Sequence, residues 1–115
     1  MGYATVEMVK ERLGIDPSDT SRDQVIEAKI ASADAYIDNR LKPYVEVPLA
    51  EPPQLIRDVS ADLAAALFEE DRLAGGGGDP SKIHVWRRRA LEALEAYIEV
   101  NYGGYYTSTS TMEEA

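Results

Sequence analysis

An all-α fold is predicted by three observations on this 115-residue chain. Apolar residues recur at helical spacing in four separate stretches, and each stretch carries its own start and stop signals. Only one interior segment, residues 43–53, breaks that pattern. The expected architecture is a small four-helix domain over residues 1–104, with a proline-rich extended loop between helices 2 and 3 and a flexible C-terminal tail over 105–115.

The first helix is short, about residues 6–13. Thr5 is a suitable N-cap because its hydroxyl accepts from an otherwise unpaired amide of the first turn. Val6, Val9 and Leu13 form its apolar side, and Gly14 stops it. Asp16-Pro17-Ser18-Asp19-Thr20-Ser21 is a turn-rich connection. The second helix runs from about Arg22 to Leu41. Ile26, Ile30, Ala33, Ile37 and Leu41 make one stripe, which Val25 and Tyr36 are expected to widen. Asp23, Glu27, Asp34, Asp38 and Arg40 fall largely off that stripe and are expected in solvent. Pro43 ends the helix by disfavouring helical geometry at Lys42.

In residues 43–53, Val45, Val47 and Leu49 alternate with other residues, which suggests an extended stretch. Pro48 restricts it to an edge strand or a rigid loop. The third helix is expected from Pro53, placed at a first helical position, to about Leu73. Ile56, Val59, Leu63, Ala66 and Leu67 mark its buried side, and Ala61, Ala64 and Ala65 allow another helix to approach closely. Gly75–Gly78 break the chain. Asp79 then caps, and Pro80 opens, a fourth helix to about Asn101, with Ile83, Trp86, Ala90, Leu91, Leu94, Tyr97 and Ile98 on its apolar side. Gly103-Gly104 ends it.

Composition narrows the function. The 44% hydrophobic content suffices for one modest core. The absence of cysteine removes disulfides, thiolate metal sites and Cys nucleophiles, and fits a reducing compartment. No apolar run reaches the roughly 20 residues of a membrane span, and the N-terminus carries no secretory pattern. The sequence reads as soluble and cytoplasmic. A net charge of −9 disfavours gripping DNA, which requires Lys and Arg on phosphates, and it favours solubility.

No constellation of catalytic side chains emerges. Gly75–Gly78 follow a helix and lack the Gly-Lys-Ser/Thr of a phosphate loop, so they read as a linker. Glu69-Glu70-Asp71 and the pair Asp58/Asp62 lack the histidines of a helical metal site and read as solvated surface. His84, the single histidine, reads as a helix-flank residue. Arg87-Arg88-Arg89 fan over about 200° and make no flat phosphate patch. Arg88 can pair with Glu92 along the helix, and Arg87 and Arg88 are candidates for contact with an acidic neighbouring subunit. Seven of nine aromatic residues are tyrosine, a residue suited to interfaces. Tyr102, Tyr105 and Tyr106 flank the Gly103-Gly104 break and are candidate contacts, although packing of Tyr97 and Tyr102 on the bundle is an equally physical account of those two.

The order of these elements resembles the small head–tail connector (adaptor, neck or head-completion) proteins of tailed phages. Three stretches carry the resemblance: Ala4 to Gly14, Ile26 to Asp38, and Pro53 to Arg72 with its alanine run and acidic-Arg end. Together they cover roughly residues 3–100. The resemblance implies a virion structural protein without enzymatic activity or cofactor. It implies a homo-oligomeric ring of about a dozen copies, joining the portal protein to a tail or neck protein. DNA would slide through the ring past an acidic wall, without sequence-specific binding or membrane association. Location would be the virion neck, after the host cytoplasm. The segments that make contacts in such proteins map here onto Tyr44, Val45, Val47 and Leu49, and onto Tyr105, Tyr106 and the tail after them. A cytoplasmic helical regulator or chaperone-like binder is the alternative, and it predicts an exposed apolar groove. An enzyme on a helical bundle is a third, weakened by the missing nucleophile or metal set.

Overall fold

Helix α3, Gln54–Ala74, is the element around which the others are arranged. The computed structural model describes residues 2–103. Before α3 come α1, Val6–Leu13, and α2, Asp23–Leu41; after it come α4, Pro80–Ile98, and a π-helical turn, Glu99–Gly103. No strand occurs among the described residues, so the all-α expectation holds.

Every residue from Val59 to Ala66 is buried, which covers all faces of two turns of α3. Ala61, Ala64, Ala65 and Ala66 make this achievable, because small side chains let three helices approach one. On one flank, Lys29 of α2 pairs with Asp71 at 2.5 Å while Asp34 accepts from Ser60 Oγ at 2.7 Å. On the other, Arg87 of α4 pairs with Glu70 while Arg89 meets Asp62 at 2.9 Å. Both flanking helices therefore run antiparallel to α3. They reach each other through Arg40, whose Nε donates to Glu95 at 2.8 Å. The result is a slab of 54 × 30 × 17 Å, with a radius of gyration of 16.0 Å. A compact 100-residue domain has about 13 Å.

The local signals operate as the residues dictate. Thr5 Oγ1 accepts from the Met8 amide at 3.2 Å, and Gly14 adopts φ 73° to return its N–H to Lys10 O. Asp79 accepts from the Ser81 amide at 3.0 Å ahead of Pro80. Gly78, at φ 81°, lies against α3 so closely that a Cβ there would sit 2.9 Å from both Glu69 O and Leu73 N. The α2 stripe Ile26, Ile30, Ala33, Ile37 and Leu41 is buried throughout.

Several expectations need correction. Val25 and Tyr36 do not widen that stripe, since both are exposed. Asp34 and Asp38 are not simply solvated, since both bind the N-terminal segment. Lys42 keeps helical geometry (φ −62°, ψ −27°), and the chain turns only after it, with the Tyr44 and Val45 amides on Leu41 O. Residues 43–53 form turns and bends rather than an edge strand, with Val45, Val47 and Leu49 half-buried against the core. Pro53 is the N-cap of α3, in extended geometry (ψ 163°), rather than its first helical residue. The α-helical part of α4 ends at Ile98, and Gly103 lies inside the π-helical turn. Asp62 and Glu69 are buried, each 4% exposed, where a solvated surface was expected. The expected tail, 105–115, lies outside the described residues.

Candidate interface

At one end of the slab the proline-rich loop meets the end of the described chain. Tyr44, 41% exposed, stacks on Tyr102 with ring centroids 5.4 Å apart and planes 13° from parallel. Tyr102 in turn meets Tyr97 edge-on at 6.2 Å. Two candidate contact residues far apart in sequence are thus brought together, each using one ring face within the chain. Val45, Val47 and Leu49 line the inner side of the same loop. Tyr105 and Tyr106 lie outside the described residues.

The arginine run separates by direction, as helical fanning requires. Arg87 turns to Glu70 and Arg89 to Asp62, both on α3. Arg88 is exposed and forms no ion pair among the described residues, so the expected Arg88–Glu92 pair is not made. Of the two candidate arginines, Arg88 is the one without an ion pair among the described residues. His84 is exposed, as its helix-flank position implied.

Sequence reasoning missed the N-terminal strap, residues 2–5. Tyr3 is 5% exposed and bridges α2, the proline-rich loop and α3, the last through its carbonyl, which accepts from Arg57 Nη1 at 3.4 Å. Its amide donates to Asp34 Oδ2 at 2.9 Å and its hydroxyl to Asp38 Oδ1 at 2.5 Å, while the same hydroxyl accepts from the Leu49 amide at 2.8 Å. Ala4 N–H adds a bond to Ser60 Oγ at 3.2 Å. Burial, followed by donation to Asp38, pushes the Tyr3 hydroxyl up to about 12. Burial also raises Asp34 above the ordinary aspartate value, against the lowering effect of its bonds from Ser60 and Tyr3. Two aspartates four apart on the flank of an apolar stripe were the available signal, and an isolated tyrosine ahead of the first helix gave none.

A buried carboxylate ties α1, α3 and α4 together. Asp62 Oδ1 accepts from Arg12 Nε at 2.6 Å and from Arg89 Nη2 at 2.9 Å, and Oδ2 accepts from Arg89 Nε at 2.9 Å. Arg12 also reaches Asp58 at 3.4 Å and Met8 O at 3.2 Å. These groups border a cleft of about 560 Å³ closed by Leu55 and Ala93. On the slab's other side, α2 and α4 leave a groove of about 310 Å³ over α3, with Tyr36, Leu63, Leu67 and Leu91 as its apolar walls and Arg87 at its edge. Among the described residues, no three His, Cys, Asp or Glu side chains gather as a metal site, and no helix is long and apolar enough to cross a membrane.

The fold and these surfaces define a small all-α protein whose buried polar side chains join helix to helix. The chain belongs to the family described as bacteriophage Mu, Gp36, whose model matches residues 3–101. It is therefore a phage protein, and the match spans all four helices. No curated protein and no solved structure matches it.

Proposed function

We propose that this chain is a virion structural protein that joins the portal to the next neck or tail component as a ring, without enzymatic activity. The observation that carries this reading is the phage family match over residues 3–101, which coincides with the stretch that resembles head–tail connectors. The geometry supports it in kind. A thin slab presents much surface for its core, and contacts repeated around a ring offset the entropy of ordering loops and side chains. The partner-facing residues are Tyr44 and the outer side of the proline-rich loop, with Arg88 on α4 meeting an acidic neighbour. The net charge of −9 suits a channel wall past which DNA slides.

A second reading, a helical regulator that binds another protein, draws on one observation, the apolar groove between α2 and α4. Capture from a lysate of phage-producing cells, with the tagged full chain immobilised, separates the two. Portal and neck or tail proteins in the eluate support the connector. Recovery of a non-virion protein alone, released by Leu67→Arg in the groove, sinks it in favour of the regulator.

A further inference from the structure

The proline-rich loop packs Val45, Val47 and Leu49 on the core and stacks Tyr44 on Tyr102, but it has few hydrogen bonds. Pro48, Pro52 and Pro53 contribute no amide, and Glu46, Pro48, Ala50 and Glu51 are exposed. Its first residues are fixed by the Tyr44 and Val45 amides on Leu41 O, and its last by the start of α3. Between those anchors, among the described residues, one hydrogen bond joins the loop to the bundle: Leu49 N–H to Tyr3 Oη at 2.8 Å.

Tyr3 is itself placed with little tolerance. A Cβ at Gly2 would stand 2.5 Å from Ile30 Cγ2 and 2.9 Å from Asp34 Oδ2, so the strap lies directly on α2. Asp34 and Asp38 then fix the Tyr3 amide and hydroxyl one helical turn apart. The hydroxyl donates to Asp38, which leaves its lone pairs free to accept from Leu49. This is a directed relay from α2 through the strap to the loop, and the strap is tied separately to α3 by Ala4 N–H on Ser60 Oγ.

We infer that Tyr3 is a latch: the N-terminal strap and the proline-rich loop open and close together, while the helical bundle stays intact. The inference rests on the connector reading only for the partner that the loop would meet. A partner that draws the loop outward breaks the Leu49 bond and loosens the strap. Equally, anything that displaces the strap frees the loop.

Amide hydrogen exchange followed by NMR on the full chain tests this, comparing the native protein with Tyr3→Phe, which keeps the buried ring and removes only the hydroxyl. Exchange at Leu49 is expected to quicken by roughly tenfold, the effect of one hydrogen bond. Amides of Leu63 and Ala64 in α3 are expected to keep their native rates. Asp38→Asn, which retains an acceptor for the hydroxyl, is expected to leave Leu49 closer to native than Tyr3→Phe does. An unchanged Leu49 rate in Tyr3→Phe overturns the latch. Acceleration of the α3 amides to the same degree also overturns it, by making the strap part of the global fold. This experiment needs no portal protein, so failure of the connector reading and failure of the latch leave different records.

Discussion

Asp62→Asn tests the central energetic claim, that one buried carboxylate fastens three helices. Asp62 accepts three charge-assisted bonds, and each such bond contributes about 1.5–3 kcal/mol when desolvated. Simple addition overstates the loss. The Arg89 side chain is 56% exposed, so its share falls to that of a surface pair, roughly 0–1 kcal/mol. The Arg12 side chain is 18% exposed, and after the change it faces a neutral amide oxygen in place of the carboxylate, beside Asp58 at 3.4 Å and Met8 O. Its near-buried charge then lacks its closest counter-charge, and breaking a buried pair from one side costs up to about 3–5 kcal/mol. Partial exposure and the remaining contacts bring the total to about 2–3 kcal/mol. For a domain of this size that lowers Tm by about 10–20 °C. Urea unfolding followed by circular dichroism measures it directly. Most of the difference is expected to persist in high salt, because buried charges are poorly screened. A loss below about 0.5 kcal/mol, or one that salt removes, refutes the description of Asp62 as a desolvated hub.

Three other outcomes are expected. Gly78→Ala puts a Cβ against the backbone of α3 at a positive φ and is expected to cost about 2–3 kcal/mol; Gly76→Ala, also at positive φ but in open space, is expected to cost visibly less, and equal losses in thermal melts would contradict the clash. A double-mutant cycle of Tyr44→Leu and Tyr102→Leu is expected to show a coupling of about 0.5–1 kcal/mol from the ring stack; no coupling would mean that the rings do not hold the loop to the C-terminal turn. Carboxyl chemical shifts followed against pH are expected to place the Asp34 midpoint above 3.8 and those of Asp16, Asp19 and Asp79 below it. The signs for stability are opposite: the three carboxylates that each accept from a serine two residues on stabilise above 3.8 and lose that contribution as pH falls through their lowered values, whereas the contribution of Asp34 is full below 3.8 and is lost as pH rises through its raised value. Asp34 and Asp79 titrating together would exclude this arrangement.

Most of the fold was legible because it depends on short-range rules. Thr5, Gly14, Asp79 and Pro80 act within one turn of the residues they cap, and the Ile26-to-Leu41 stripe follows from helical period alone. The errors share a cause. Asp34, Asp38 and Asp62 were assigned to solvent by residue type, yet each is turned toward a cation, a hydroxyl or an amide brought by a distant segment, and Glu69, assigned likewise, is buried beside Arg72 of its own helix. Periodicity states which side of a helix is apolar and is silent on which polar residue at the border finds a partner 26 or 50 positions away. The candidate interface was legible in the same partial way. Tyrosine content and loop composition singled out Tyr44 and Tyr102, but their stacking, and the role of Tyr3 beneath the loop, require the three-dimensional register.

The slab shape links these polar contacts to the protein's proposed work. Only α3 is surrounded; α2 and α4 each bury one side and leave the other free, so the apolar core is one helix deep and 17 Å of total thickness includes both surfaces. Such a core holds less buried area than a compact bundle of equal length, and inter-helix ion pairs at its edges fix orientation more than they add stability. Arg40–Glu95 and Lys29–Asp71 sit at those edges, whereas Asp62 lies between α1 and α4, where desolvation makes the geometry exacting. A domain built this way keeps a defined outline at modest intrinsic stability. In the proposed ring its free flanks would be covered by another subunit, so the gain in Tm on that assembly is expected to exceed that of a compact helical bundle burying the same fraction of its surface.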